Sequence, residues 1–187
     1  LKQLASKEMP LVLQSNEGDG DMFTGVTDFG KRIESQWIGN TLKDIYAVDP
    51  VTGNKKLVKE NLNWQASPSP AGNYILWYDR KARNYFVYDG ETETNITKNI
   101  KVPLWDEEFD NPDDPPPYGI MGWHEGDSAL YVYDKFDVWK VDPSGSKPPV
   151  LYSTPFGRQT KSRVRYTRLD PEERFIKHAQ PMAFRIF

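Results

Sequence analysis

The chain has 187 residues, no cysteine and a formal net charge of -3, and it contains 13% aromatic residues, 15 prolines and 13 glycines. The length suits one globular domain, and the small charge excludes a strongly basic nucleic-acid-binding protein. The lack of cysteine excludes disulfides, thiolate metal sites and a cysteine nucleophile. Abundant aromatic residues, prolines and glycines favour short strands joined by tight turns, so we expect an all-β fold.

The N-terminal region is the least regular part of the sequence. Residues 10–13 and 35–38 are predicted to be strands, and residues 16–30 to be a loop rich in glycine and aspartate. The chain begins with Leu1 rather than Met and lacks a signal peptide, so we expect it to be cut from a longer protein. No apolar run has the length of a membrane-spanning helix, and no membrane partner is expected.

A strand that closes on aspartate occurs three times, at residues 44–49, 84–89 and 137–142. Each copy leads into a glycine-containing turn and a short apolar stretch, which predicts a β-hairpin. The aspartate side chain is expected to accept the N–H groups of the turn. A second aromatic-rich strand, closing on Asp79 or Asp134, precedes the later two copies. The copies are about 40 and about 50 residues apart, a period typical of propeller blades.

The repeat predicts a section of a β-propeller, built from consecutive four-stranded antiparallel blades within one partial propeller domain spanning 1–187. Two blades are expected to be complete, with incomplete ones at both ends of the chain. The predicted blade boundaries are about 10–60, 61–101 and 118–160, with a partial blade at 161–187.

Residues 102–118, here called the acidic segment, are predicted to be an insert outside the blades, because prolines cannot donate hydrogen bonds to a sheet. A short helical turn is expected over residues 106–109. The carboxylates beside Trp105 and Phe109 could capture an ammonium group, hold a hard cation, form a glycosidase pair or simply face solvent. Their spacing matches no calcium loop, and we expect neither a metal nor a cofactor. The carboxylates belong to Asp106, Glu107, Glu108, Asp110, Asp113 and Asp114.

The remaining polar residues predict no catalytic centre. Gly-x-Ser-x-Gly does not occur, and the two histidines, His124 and His178, are expected to be hydrogen-bonded or solvated in loops. The basic run is interpreted as protecting a strand edge or pairing with the acidic segment, with Arg163 and Arg165 together on a solvent-exposed face. That run comprises Arg158, Lys161, Arg163, Arg165 and Arg168.

Residues 67–79, Ser-Pro-Ser-Pro-Ala-Gly-Asn-Tyr-Ile-Leu-Trp-Tyr-Asp, resemble the S-P-D-G-K-Y-I strand motif of propellers in the prolyl oligopeptidase family. Residues 118–123, continuing through 131–139, resemble the large bacterial members, and the resemblance covers about residues 10–176. It implies a non-catalytic propeller that binds or gates peptide substrate for a C-terminal α/β-hydrolase domain carrying a Ser-Asp-His triad. It also implies a periplasmic or secreted protein.

Dipeptidyl-peptidase members of that family bind the substrate's free amino terminus through a glutamate pair, in a motif similar to W-x-Y-E-E-E. Residues 105–109, Trp-Asp-Glu-Glu-Phe, are similar but lack the tyrosine and depart in spacing. The resemblance therefore implies that Trp105, Glu107 and Glu108 are substrate-binding residues.

An alternative function is a stand-alone propeller that binds a ligand or partner and has no hydrolase attached. The exposed sheet edges of a cut propeller also predict that two copies could pair as an edge-strand dimer.

Overall fold

The computed structural model describes residues 2–177 and 180–187. Over these residues the chain forms fourteen strands, two short α-helices and two single-turn 3-10 helices (Asn16–Gly18 and Glu125–Asp127). The strands are β1 (Leu11–Leu13), β2 (Phe23–Thr27), β3 (Lys43–Val48), β4 (Lys55–Leu62), β5 (Ala66–Pro68), β6 (Ile75–Asp79), β7 (Asn84–Tyr88), β8 (Glu93–Asn95), β9 (Ile120–Trp123), β10 (Leu130–Tyr133), β11 (Val138–Val141), β12 (Val150–Leu151), β13 (Val164–Thr167) and β14 (Ala183–Ile186). The α-helices are α1 (Arg32–Ile38) and α2 (Phe156–Thr160).

Twelve of the strands form three four-stranded sheets, β1–β4, β5–β8 and β9–β12, in which neighbouring strands follow one another along the chain. The strand pairs are antiparallel, and β13 and β14 form a separate two-stranded antiparallel sheet. The all-β prediction is therefore confirmed. The N-terminal sheet has four strands, although the sequence predicted an incomplete one.

The chain divides into two compact units, residues 1–79 with 85–93 and residues 80–84 with 94–187. In the first unit, buried side chains from two sheets meet in one core, including Ile45 of β3 and Ile75 and Trp77 of β6. The Trp77 ring stacks on Phe86, with ring centroids 6.0 Å apart. Four successive residues of β6 are buried, which explains why the strand reads as a continuous apolar run.

The second unit has a core rich in tyrosine. Tyr131 and Tyr133 of β10 pack with Val138 and Ile176, and the half-buried Tyr166 and Phe184 of the two-stranded sheet close this core. The tyrosine rings meet edge to face, as Tyr131 and Tyr152 do with their centroids 4.8 Å apart. Tyr133 Oη also accepts the N–H of Tyr166 at 3.0 Å, which ties β13 to β10.

The predicted loop at residues 16–30 was wrong in part, since it contains β2. All five residues of β2 are buried, and the strand pairs with both β1 and β3. Gly25 lies in the middle of β2, where an added Cβ would stand 2.5 Å from Met9 Sδ. Glycine is needed for close packing at this position rather than for a turn.

The strand predicted at residues 35–38 was also wrong, because these residues form the second half of α1. The helix ends where Gly39 adopts a φ of 72° and donates its N–H to the Ser35 carbonyl oxygen. This left-handed position strongly favours glycine and is a common helix terminus. By contrast, the strand predicted at residues 10–13 is present as β1.

Two long sheet edges are protected in different ways. Two exposed lysines, Lys55 and Lys56, lie on β4, the outer strand of the first sheet, where charge discourages pairing with another chain. The outer edge of β9 is covered by Ile176, which forms a parallel bridge with His124. Ile176 donates its N–H to Trp123 at 2.7 Å and accepts that of Glu125 at 3.0 Å.

Candidate functional site

The acidic segment folds back on itself between β8 and β9. Trp105 and Pro117 form an isolated antiparallel bridge. On either side of it, the Asp106 N–H donates to the Pro116 carbonyl at 2.8 Å and the Tyr118 N–H donates to the Leu104 carbonyl at 2.9 Å. These contacts close the base of the loop that carries the carboxylates.

The helical turn predicted over residues 106–109 is instead a hydrogen-bonded turn without a helix, in which the Phe109 N–H donates to the Asp106 carbonyl at 3.3 Å. Asp106 Oδ1 accepts the Glu108 N–H at 3.1 Å, and Tyr118 Oη accepts the Glu107 N–H at 3.1 Å. Trp105, Glu107 and Glu108 are thus brought to one short turn. The carboxylate-bearing side chains of Glu107 and Glu108 are both exposed.

Glu108 already binds two cations of the protein. Its Oε1 lies 3.0 Å from Lys135 Nζ, and its Oε2 lies 3.1 Å from an Arg163 guanidinium nitrogen. The hydrogen bond from Lys135 is the main cause that lowers the pKa of Glu108, and the charge of Arg163 acts in the same direction. The predicted pairing between the basic run and the acidic segment is confirmed for Arg163.

Further arginines contact the acidic segment. The Arg83 guanidinium lies over the Trp105 ring, 5.0 Å from its centroid. Arg80, nearly buried, forms an ion pair with Asp113 at 2.8 Å, donates to the Asp114 carbonyl and lies over the Phe109 ring. Sequence reasoning missed these partners because they precede the segment by about 20 to 30 residues and show no local pattern.

The exposed position predicted for Arg165 was wrong. Its guanidinium is half-buried over the ring of Tyr133, 4.5 Å from the centroid, and near the ring of Tyr118 at 6.0 Å. It also donates to the carbonyl oxygens of Asp134 and Lys135. Burial lowers the pKa of Arg165. The Arg165 guanidinium can be buried here because a cation is attracted to the faces of aromatic rings.

The aspartates that close the repeated strands hold their turns, as the sequence predicted. Asp49 accepts the N–H groups of Val51 and Thr52, and Asp89 accepts those of Glu91 and Thr92. In the third copy, Asp142 accepts the N–H of Ser144 through Oδ1 and, five residues ahead, that of Lys147 through Oδ2. These carboxylates are structural.

Asp134 holds the turn between β10 and β11 and is fully buried. Its Oδ1 accepts the N–H groups of Phe136 and Asp137, each at 2.7 Å. Its Oδ2 accepts Trp139 Nε1–H at 2.9 Å and an Arg158 guanidinium N–H at 2.7 Å. One carboxylate thus joins a turn, a strand and α2.

His124 follows β9, where its Nδ1 lies 2.9 Å from Ser128 Oγ. The Ser128 hydroxyl donates to the Glu125 carbonyl oxygen, so the contact belongs to a local turn. His178 lies outside the described residues.

Within residues 2–177 and 180–187, no three histidine or carboxylate side chains come together in a way that could hold a metal ion. No helix in the described part of the chain is long and apolar enough to cross a membrane.

Neither a scan against protein-family models nor a comparison with curated proteins found a match to this sequence.

Proposed function

We propose that the chain is a non-catalytic section of a β-propeller in a prolyl-oligopeptidase-like serine peptidase. There it binds or gates peptide substrate for an α/β-hydrolase domain elsewhere in the same protein. The proposal is supported above all by the succession of three four-stranded antiparallel sheets whose strand order follows the chain, because propeller blades are built in this way. The strand motif at residues 67–79 supports the choice of family.

In this proposal the acidic segment, as an insert between blades, receives the free amino terminus of the peptide. Both glutamate side chains are exposed, and the contacts of Glu108 make Glu107 the better candidate for the ion pair. Both carboxylate oxygens of Glu108 are occupied by Lys135 and Arg163. Glu108 is therefore a positioning residue that fixes the turn. The Arg83 guanidinium already lies over the Trp105 ring, so in this proposal the ammonium group meets the opposite face of that ring.

The hydrolase part of the proposal is tested by sequencing the coding region that flanks this chain in its gene. We expect a downstream domain of about 200 to 250 residues that contains Gly-x-Ser-x-Gly. The full-length protein should then hydrolyse peptides and lose this activity when the serine is replaced, while the isolated chain hydrolyses none. A complete reading frame without such a domain would favour the stand-alone binding module instead.

The binding part is tested by titrating the chain with a short peptide that has a free amino terminus and with its N-acetylated form. Loss of a charged hydrogen bond corresponds to about 10- to 100-fold in affinity, so Glu107→Gln should weaken binding of the free peptide by about that factor. The acetylated peptide should bind the original chain as weakly as the free peptide binds the variant.

Glu91→Gln is the matched control, because Glu91 is an exposed glutamate in a hairpin turn. It should leave both affinities unchanged. Equal affinity of the original chain for the two peptides, or no effect of Glu107→Gln, would contradict amine recognition at this turn without bearing on the hydrolase.

A further inference from the structure

Arg80 lies in the turn between β6 and β7, and its side chain is buried although it belongs to a turn. Only 7% of that side chain is exposed, whereas Lys81, Ala82 and Arg83, which complete the turn, are all exposed. A guanidinium group is tolerated in a buried position only where its charge and its N–H donors find partners. The partners of Arg80 therefore indicate its role.

Arg80 contacts the acidic segment at two places that are separated along the chain. In the first half of the segment, its guanidinium lies over the Phe109 ring, 5.9 Å from the ring centroid. In the second half, one terminal nitrogen pairs with Asp113 at 2.8 Å and the other donates to the Asp114 carbonyl oxygen. One side chain therefore holds the two halves of the segment together.

The Arg80 contacts add a second closure to the acidic segment. The bridge between Trp105 and Pro117 joins the two halves of the segment at its base. Arg80 joins them again beyond the turn of residues 106–109, through Phe109 on one side and residues 113–114 on the other. Glu107 lies in the chain between these two closures. Loss of the Arg80 contacts therefore leaves the turn that carries Glu107 closed at one end only.

We propose that Arg80 is a positioning residue for amine recognition by Trp105 and Glu107, a role that rests on the function proposed above for the acidic segment. By holding the two halves of the segment together, Arg80 keeps Trp105 and Glu107 in the arrangement that receives a free amino terminus. Arg80 does not contact the peptide, because its side chain is buried and bound to the segment itself. Without these contacts the segment opens, and the preference for a free over an acetylated amino terminus falls.

Limited proteolysis with a glutamate-specific protease measures opening of the segment, because cleavage after Glu107 or Glu108 follows the population of the open form. Loss of a hydrogen-bonded charge pair corresponds to about 10- to 100-fold in that population. Arg80→Met, which keeps a long side chain without the charge, should therefore speed cleavage there by about that factor. Cleavage after Glu91 should keep its original rate, because Asp89 holds that hairpin turn independently of Arg80.

Two further variants separate the contacts of Arg80 from its charge alone. Lys81→Met is the matched control, because it removes the same charge from an exposed position of the same turn. It should change neither cleavage rate. Arg80→Lys keeps a cation that can pair with Asp113 but lacks the planar group with several donors. It should give a cleavage rate between those of the original chain and Arg80→Met.

Peptide titration distinguishes positioning from a purely structural role. The ratio of the affinities for a free and an N-acetylated peptide measures amine recognition. Arg80→Met should reduce this ratio about tenfold or more, Arg80→Lys should restore part of it, and Lys81→Met should leave it unchanged.

Faster cleavage of Arg80→Met after Glu107 or Glu108 with an unchanged affinity ratio would overturn the positioning role, and so would an unchanged cleavage rate. If cleavage after Glu91 also rises, Arg80→Met has lost its fold, and the cleavage rate and affinity ratio of Arg80→Lys decide instead. A ratio of one in the original chain would overturn amine recognition itself. The cleavage rates would then still show whether Arg80 closes the segment, so the two failures are distinguishable.

Discussion

Asp134→Asn should be among the most destabilising single-atom changes in the second unit. The amide oxygen can still accept the N–H groups of Phe136 and Asp137, so the turn itself keeps its hydrogen bonds. The amide NH₂ group, however, then faces the N–H donors of Trp139 and Arg158, which lose their shared acceptor. The change therefore replaces two attractive contacts with two donor–donor contacts while the side-chain volume stays the same.

The magnitude follows from the surroundings of these two donors. A donor left without an acceptor in the interior costs about 1 to 3 kcal/mol. The Arg158 side chain is 44% exposed and can regain water, so its share lies near the lower limit, whereas Trp139 is half-buried. We expect Asp134→Asn to lower the free energy of unfolding by about 2 to 4 kcal/mol.

Urea unfolding followed by near-ultraviolet circular dichroism measures the change, because it reports the packing of Trp139 and the neighbouring tyrosines. Asp142→Asn is the control: this aspartate holds the next turn by the same type of hydrogen bond but is half-exposed. It should cost about 1 kcal/mol or less. If Asp134→Asn proved no more harmful than Asp142→Asn, the role assigned to the Trp139 and Arg158 contacts would be refuted.

Two further predictions concern pH. Burial is the larger cause that raises the pKa of Tyr131 from 10.0 to about 12, and the neighbouring Tyr152 is the smaller one. The neutral Tyr131 side chain therefore stabilises the fold fully below pH 10, and this stabilisation is lost as the pH rises towards 12. Tyr131→Phe should flatten the fall in stability over that range, and ultraviolet titration should lack the last tyrosinate step. At the acid end, the Thr92 N–H is the main cause that lowers the pKa of Asp89. This stabilisation is present above the ordinary carboxyl pKa and lost as the pH falls through the lower folded value, so Asp89→Asn should make the urea midpoint less sensitive to pH below about 4.

The elements that the sequence predicted correctly depend on local signals. An aspartate that holds the N–H groups two and three residues ahead needs no information from elsewhere in the chain, and neither does the apolar run of β6. The all-β class followed from such signals repeated along the chain. Gly25 shows the limit of this reasoning, because the reason for a glycine there is the sulfur of Met9 on another segment.

The candidate site was predictable only in part for the same reason. Trp105, Glu107 and Glu108 are neighbours in sequence, so their meeting in one turn required no tertiary information. Pairing of the basic run with the acidic segment was predicted and is present at Arg163, whereas Lys135, the other cation on Glu108, lies outside that run and no local pattern reveals it. The aromatic environment of Arg165 was equally hidden, since alternation along a strand indicates the face of a side chain but not what covers it.

The covering of β9 by Ile176 has a consequence for the order in which the chain folds. Ile176 is synthesised roughly 50 residues after the strand it seals, and closing a loop of that length costs about 3 to 4 kcal/mol in chain entropy. Its two backbone hydrogen bonds and buried side chain return a similar amount, about 3 to 6 kcal/mol. The contact between Ile176 and the edge of β9 therefore forms late, only once the intervening sheet is in place. On the ribosome, β9 keeps an open edge until residue 176 has emerged, and during that interval the edge is exposed to pairing with a wrong strand.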